Sequence, residues 1–281
     1  MKYLLFVFIL FVFRSQISAQ QMKSCCTSST ATFASFASDK NFTSSHLAPL
    51  PFIYQSEKGS VVTFRTEGGE DGRAFEVKAQ TDTKNYLFVI HEWWGLNDYI
   101  KREAERLQKE LGDVNVLALD LYDGKVASTP DEASKYVRDV KEDRARAIIQ
   151  GAIGYAGPDA RIATIGWCFG GGWSMQTTLM AGGQAIACVL YYGMPEMTQS
   201  KLNTLHAPVL GIFAKKDEWV SPKVVKEFAS AMKQAKKQLT VKSYDAVHAF
   251  ANPSNPKYDK KSADEANKIS LAFLKRYVTA K

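Results

Sequence analysis

The stretch that decides the fold is Ile165-Gly166-Trp167-Cys168-Phe169-Gly170-Gly171-Gly172. An apolar run precedes it and a run typical of a helix follows it, so the order is strand, tight turn, helix. A nucleophile at such a turn has a strained backbone, and its neighbours must be small because strand and helix approach closely. Gly166 and Gly170 meet that requirement. The amides at the start of the following helix point towards Cys168 and favour a thiolate.

The cysteine pattern alone leaves a second interpretation open. A cysteine between glycines is also common as a small, inert core residue. A catalytic role for Cys168 therefore depends on what the rest of the chain supplies.

Strands and helices alternate after residue 61, and this pattern predicts one α/β domain with a mostly parallel sheet and helices on both faces. Turn-forming residues between 61–64 and 75–77 predict an N-terminal β-hairpin. The remaining predicted strands are 86–90, 114–119, 162–165, 185–190, 209–214 and 239–244. The predicted helices are 99–111, 131–153, 171–180, 222–234 and 263–277.

The first part of the chain predicts export. Residues 1–19 contain an uncharged apolar run that is too short to span a bilayer and resembles a secretory signal peptide. Residues 20–57 are rich in Ser, Thr and Ala and predict a linker or tail that is partly disordered. The domain proper is predicted to occupy residues 58–281. The expected location is periplasmic or secreted, without stable membrane insertion after signal cleavage, and lipid anchoring through Cys25 is the less favoured alternative.

Composition argues against several classes of partner. The formal charge of +7 falls to about +5 without the two cations of the signal peptide, and no basic block is present, so nucleic-acid binding is not expected. The four histidines are scattered and the four cysteines have no zinc spacing, so no metal site is predicted. No cofactor is implied.

Four polar residues directly follow predicted strands, where open α/β sheets gather their ligands. They are Glu92, Cys168, Asp217 and His248. A cysteine needs a base, and an imidazole needs an orienting partner, so Cys168, Asp217 and His248 in this chain order predict a catalytic triad. Each also has a structural alternative: His248 as a strand-end residue and Asp217 as a helix cap. Glu218 is a rival for the acid role.

Six motifs lie between about Ser60 and the C-terminus: Gly166-x-Cys168-x-Gly170-Gly171, His91-Glu92-Trp-Trp-Gly95-Leu-Asn97, Leu119-Asp-Leu-Tyr122, Tyr191-Tyr-Gly193, Asp217-x-x-Val220-x-Pro222 and His248-Ala-Phe250. Together they resemble the dienelactone hydrolase family. The resemblance implies an α/β-hydrolase fold and a Cys-His-Asp triad that acts on small-molecule esters or lactones through a thioester. It also implies an oxyanion hole from the amides of Phe169 and Trp93, and an active-site carboxylate at Glu92.

The carboxylate of Glu92 has a predicted regulatory effect. A carboxylate beside a thiol competes with histidine for its proton, so Glu92 would hold Cys168 as an unreactive thiol until substrate displaces it. The alternative is a structural ion pair between Glu92 and Arg102 or Arg106.

The predicted substrate pocket departs from the resemblance. Family members specific for dienelactone carry arginines where this chain has Lys125 and Asn252, so an arginine clamp for a substrate carboxylate is missing and Lys125 would be a partial substitute. Tyr122 and Trp94 are the aromatic residues expected to line the pocket, together with Lys125 and Asn252.

Two other classes of function stay open. One is a catalytically silent binding protein on the same fold, which an intact triad argues against. The other is a thiol redox protein, for which Cys168 lacks a resolving cysteine in a C-x-x-C arrangement.

Overall fold

The computed structural model describes residues 29–279 and contains one eight-stranded sheet in the order β1-β2-β4-β3-β5-β6-β7-β8. The β1–β2 and β2–β4 pairs are antiparallel and the other pairs are parallel, which confirms the predicted hairpin and mostly parallel sheet. The strands are β1 (Ser60–Phe64), β2 (Gly72–Val77), β3 (Asn85–Ile90), β4 (Asn115–Leu119), β5 (Arg161–Trp167), β6 (Ala185–Tyr191), β7 (Val209–Ala214) and β8 (Leu239–Tyr244).

Helices cover both faces of this sheet. One layer contains α3 and α9, which pack on each other, and the other contains α5 and α6. The central strands are buried along almost their whole length, as expected for parallel strands between helix layers. The helices are α1 (Ser29–Ala37), α2 (Lys40–Ser45), α3 (Asp98–Leu111), α4 (Pro130–Asp139), α5 (Glu142–Ala156), α6 (Phe169–Ala181), α7 (Gln199–Asn203), α8 (Pro222–Gln234) and α9 (Lys260–Val278).

The helix predicted over 131–153 is two helices. Thr129 caps α4 in a capping box with Glu132, and Val140 ends that helix with a non-helical ψ of 119°. A new helix, α5, then starts after Lys141 with two acidic residues in its first turn. The sequence periodicity continues through the break, and the end of α4 at Val140 has no signal of its own in the sequence.

The described part of the predicted linker also differs from expectation, because it contains helices α1 and α2. Phe33 and Phe42 are buried in the main core, so this segment is packed against the domain. Hydrogen bonds also link the end of this segment to the domain. The Leu50 amide donates to the Ser254 carbonyl at 3.1 Å, and the Tyr54 amide donates to Asp98 at 3.0 Å. Burial of two phenylalanines outweighs the polar composition that suggested disorder.

The predicted signal peptide and Cys25 lie outside the described residues, and export stays a prediction. Within residues 29–279, none of the helices combines the length and apolar character needed to cross a membrane.

Candidate active site

Cys168 lies at the turn between β5 and α6 with a positive φ of 56°, an unfavourable conformation for a non-glycine residue. A Cβ on Gly166 would lie 2.0 Å from the Gly170 carbonyl oxygen. A Cβ on Gly170 would lie 2.3 Å from the Ile90 carbonyl oxygen. The turn therefore requires glycine at both positions, as the sequence suggested, and the surrounding backbone fixes Cys168 in its strained conformation.

Three of the residues predicted for the triad meet at the carboxyl ends of their strands. The Sγ atom of Cys168 lies 3.3 Å from Nε2 of His248. The Nδ1 atom of His248 lies 2.7 Å from Oδ2 of Asp217, and all three side chains are buried. The geometry matches a nucleophile, a base and an orienting acid.

Asp217 is fixed by a turn as well as by His248. Its Oδ1 accepts hydrogen bonds from the amides of Trp219 and Val220, both at 2.9 Å. One oxygen of the Asp217 carboxylate, Oδ1, thus stabilises the turn, and the other, Oδ2, contacts the imidazole. Glu218, the rival for the acid role, is exposed to solvent.

The charges of the triad shift its pKa values. Burial raises the pKa of the Cys168 thiol, while the charge and hydrogen bond of His248 lower it and the charge of Glu92 raises it further. Burial lowers the pKa of the His248 imidazole, but the charges of Asp217 and Cys168 outweigh it and hold that pKa well above its usual value. The proton on His248 is therefore the main influence that favours a thiolate in this buried position.

Glu92 lies beside this group and is held by neutral partners. The Tyr192 hydroxyl donates to its Oε1 at 3.1 Å, and the side-chain amide of Asn252 donates to its Oε2. Burial raises its pKa to about 7 despite these bonds and the charge of His248. Among the described residues, no hydrogen bond links Glu92 to Cys168, so the carboxylate acts on the thiol through its charge.

The alternative that Glu92 is a structural ion-pair partner does not fit the contacts. Arg106 bonds Glu103 and Glu110, and the guanidinium of Arg102 lies 4.6 Å from the centre of the Phe52 ring.

Of the two residues expected at the oxyanion hole, Phe169 directly follows Cys168. Phe169 is the first residue of α6, and its amide hydrogen-bonds the Cys168 sulfur and lowers the pKa of that thiol. Trp93 is fully buried in the loop after β3. Tyr122 packs against the Phe169 ring, and its buried hydroxyl has no hydrogen-bond partner among the described residues.

The predicted substrate residues separate into two groups. Trp94 and Asn252, with Glu92, line a cavity of about 490 Å³ that extends between α3 and α9. Lys125 is exposed, and its ammonium group lies 5.8 Å from the centre of the Tyr136 ring. Lys125 and Tyr122 are both absent from the residues that line the cavity, and the Lys125 amide donates to the Tyr122 carbonyl at 3.2 Å, so the structure brings only Trp94 and Asn252 of the four predicted residues to the cavity.

The N-terminal segment, residues 29–57, covers the triad with helix α2 and His46. The Phe42 ring packs at 5.2 Å from the Trp93 ring and 5.0 Å from the Trp219 ring. The His46 imidazole lies 5.2 Å from the His248 ring, between centroids. With this cover in place Cys168 has no exposed surface, and neither it nor His248 borders the adjacent cavity.

His46 is the site residue that sequence reasoning missed. Its Nδ1 lies 2.7 Å from the Phe42 carbonyl oxygen, so Nδ1 carries a proton and Nε2 has a free electron pair. That Nε2 is buried and without a hydrogen-bond partner among the described residues. Burial, with the charge of His248 adding to it, lowers the pKa of His46 to about 3. No spacing signal links His46 to Cys168, because 122 residues separate them in the chain.

His91, which precedes Glu92, has a structural role. Its Nδ1 bonds the Glu92 carbonyl oxygen at 2.6 Å, and its Nε2 accepts from the Leu121 amide at 3.2 Å. Both ring nitrogens are thus used to join the loops that follow β3 and β4.

Fold and site together define an α/β-hydrolase. The sheet carries a cysteine at a strand–turn–helix junction, followed along the chain by an acid and a histidine, and that histidine lies within hydrogen-bonding reach of both.

The chain belongs to the dienelactone hydrolase family, whose sequence profile matches residues 72–278. It is 33% identical over 207 residues to "Protein usf" of Aquifex pyrophilus, covering 69% of this chain and 88% of that protein. It is 28% identical over 204 residues to a carboxymethylenebutenolidase of a Pseudomonas species, covering 68% and 84%. The crystal structure of a dienelactone hydrolase from Anabaena variabilis has the same fold, with a TM-score of 0.58, 18% identity and coverage of 78% and 98%. The family makes this chain an ester or lactone hydrolase by class.

Proposed function

We propose that the protein is an exported hydrolase that cleaves a neutral ester or lactone with Cys168 as its nucleophile. The observation that supports this most directly is the chain of two contacts from Cys168 through His248 to Asp217, at 3.3 and 2.7 Å. Export rests on the apolar run within residues 1–19 of the sequence.

The reaction proceeds in two halves. In the first, His248 accepts the thiol proton, the Cys168 sulfur bonds the carbonyl carbon, and the amides of Phe169 and Trp93 hold the oxyanion. His248 then gives that proton to the departing alcohol oxygen, which leaves a thioester. In the second half, water loses a proton to His248 and attacks the thioester, and the acid departs as the thiol is restored.

A neutral substrate follows from the charges around the site. The two positions where an arginine clamp would lie hold Lys125, which points to Tyr136, and Asn252, which bonds Glu92. The arginines at the cavity are partly engaged: Arg106 has two glutamate partners and Arg102 lies over the Phe52 ring. A substrate carboxylate bound beside Glu92 would meet a second, buried carboxylate there, which is unfavourable.

The mechanism also requires the N-terminal cover to move. Phe42 and His46 lie against the triad, and the Cys168 sulfur is inaccessible while they remain there. Substrate binding therefore includes a displacement of α2.

The experiment is to incubate the full chain with neutral aryl esters, neutral lactones and a matched anionic lactone, and to quench early for mass spectrometry. The expected result is hydrolysis of neutral substrates and an acyl group on the peptide that contains Cys168. Cys188→Ala is the matched control, since it removes the second buried thiol of residues 29–279 and should still be acylated normally at Cys168. Hydrolysis without any acyl group on Cys168, in wild type and in a slowed His248→Ala variant, would contradict the proposed nucleophile.

The silent binding protein and the thiol redox protein are the alternatives. A silent protein would bind the esters without turnover. A redox protein would need Cys168 to pair with a second thiol, and Cys188 is engaged by the Ser174 hydroxyl at 3.7 Å.

A further inference from the structure

We propose that His46, Cys168 and His248 form a binding site for a soft divalent cation of the zinc class, which closes the active site when the N-terminal segment is docked. One ligand atom from each residue lies within 4.8 Å of the others, and all three residues are buried. Zinc is bound in proteins by thiolate sulfur and imidazole nitrogen in such mixed sets.

Separations between the ligand atoms suit a tetrahedral ion. Bonds from zinc to sulfur and nitrogen of about 2.0 to 2.3 Å place neighbouring ligand atoms roughly 3.3 to 3.8 Å apart. The Sγ atom of Cys168 and Nε2 of His248 are already 3.3 Å apart. The separations to His46, which are at most 4.8 Å, have to shorten, and His46 is the C-cap residue of the short helix α2, where helices fray most readily.

Both imidazoles are oriented as metal ligands are. Metal-binding histidines donate their second ring N–H to a carboxylate or a backbone carbonyl, which leaves the other nitrogen for the ion. His248 has Asp217 as that carboxylate and His46 has the Phe42 carbonyl oxygen, both at 2.7 Å.

The free Nε2 of His46 is a second, independent sign of a missing partner. A buried polar atom without a hydrogen bond costs free energy, and nearly all such atoms in proteins are paired. This nitrogen belongs to a residue only 5% exposed, enclosed by the rings of Phe42, Trp93 and Trp219. A cation between His46 and Cys168 would satisfy it.

Binding has a defined proton balance and a defined consequence. The cation bonds the Cys168 sulfur and Nε2 of His248, and the proton that this pair otherwise holds is released to solvent, so affinity rises with pH. The electron pair of the Cys168 sulfur, which would attack a carbonyl carbon, is then bound to the ion, so turnover is lost. This loss of turnover rests on the proposed function, whereas metal binding itself does not.

The experiment uses the full chain with Cys25→Ser and Cys26→Ser, so that thiols outside the described residues do not bind metal. Metal-free protein is titrated with Co²⁺, whose thiolate charge-transfer absorption reports a bond to sulfur, and Zn²⁺ is then added in competition. We expect one Co²⁺ per chain, a charge-transfer band, and displacement by Zn²⁺. Cys168→Ser should abolish the band.

The decisive variant is His46→Ala, with His206→Ala as its control. His206 is exposed and precedes β7, so it lies at the amino ends of the strands, away from the site. Losing a ligand should weaken Zn²⁺ binding by at least about 100-fold, since losing the second partner of a ligand already costs about 10 to 100-fold. His206→Ala should bind as the parent does. The Zn²⁺ affinity of His46→Gln is measured alongside that of His46→Ala, and circular dichroism confirms the folding of each variant.

Two results would overturn the inference: absence of the charge-transfer band in the parent, or equal Zn²⁺ affinity in the parent and in folded His46→Ala. Failure of the proposed function looks different. In that case the band and the His46 effect are present, while the metal-free protein hydrolyses none of the esters or lactones.

Discussion

The described part of the chain holds two cysteines that are both fully buried, and their surroundings differ. Cys188 lies within β6, where its sulfur is 3.7 Å from the Ser174 hydroxyl, in a network of neutral hydroxyl groups. Cys168 lies at the end of β5 in a strained turn, with an imidazole at 3.3 Å. Burial raises the pKa of both thiols, and only Cys168 has a charged partner that opposes the effect. We therefore expect the charged neighbour, and not the degree of burial, to distinguish the reactivities of the two thiols.

The largest expected difference between the two is in turnover. Cys168→Ala should lower kcat/KM for a neutral aryl ester by a factor of about 10⁴ or more, because the covalent route is lost. Cys188→Ala should leave kcat/KM within about twofold and lower the free energy of unfolding by about 1 kcal/mol, the usual scale of a small core truncation. Steady-state kinetics and urea unfolding measure both. Comparable losses of activity would show that the two thiols act together.

The second prediction removes the charged partner and leaves both thiols. His248→Ala should lower turnover by a factor of about 10² to 10⁴, the range of general acid–base catalysis. Alkylation of Cys168 at neutral pH should also slow, because the cation that lowers its thiol pKa is gone. Alkylation of Cys188 in partly unfolded protein serves as the control. An unchanged turnover and pH profile would exclude His248 from the reaction.

The third prediction concerns the second charge near Cys168. Burial raises the pKa of Glu92 from 4.5 to about 7, so the folded state holds a proton that the unfolded state has lost. Its contribution to stability is complete below pH 4.5 and is lost as the pH rises through 7, by up to roughly 3 kcal/mol. Glu92→Gln should remove this loss, so the variant should gain stability over wild type between pH 5 and pH 8. A difference between the two proteins that does not change with pH would contradict the shift.

Glu92→Gln should also change the alkylation rate of one of the two thiols and not of the other. With the negative charge of Glu92 removed, the Cys168 thiolate is favoured, and alkylation at neutral pH should quicken by about tenfold or less. Cys188 should be unaffected. An unchanged rate at Cys168 would return Glu92 to a purely structural role.

The smallest effect is expected from opening the cover. Phe42→Ala removes a ring that contacts Trp93, Trp219 and His248, and should speed alkylation of Cys168 several-fold by exposing the sulfur more often. Phe52→Ala is the matched control, because Phe52 belongs to the same segment but packs on Tyr99 and Arg102. Equal acceleration by both variants would point to general loosening of the segment.

Most of the fold and the triad could be predicted from the sequence alone. Periodicity gave β7, β8 and α8 with the residue bounds that the structure has, and glycine on either side of Cys168 marked the strained turn. These features are local or follow from chain order, since polar residues after parallel strands meet at one edge of a sheet. Asp217 and His248 met Cys168 for that reason.

Only the tertiary structure decided what surrounds the triad. The break between α4 and α5 and the partners of Glu92 depend on packing between distant elements. The clearest case is the segment 29–57, whose Ser, Thr and Ala content resembles disorder, yet whose buried Phe42 carries His46 to Cys168. The composition of a segment indicates how much apolar surface the segment can bury within itself. Burial of Phe42 depends instead on the surface that the rest of the domain presents, and no local stretch of sequence contains that surface.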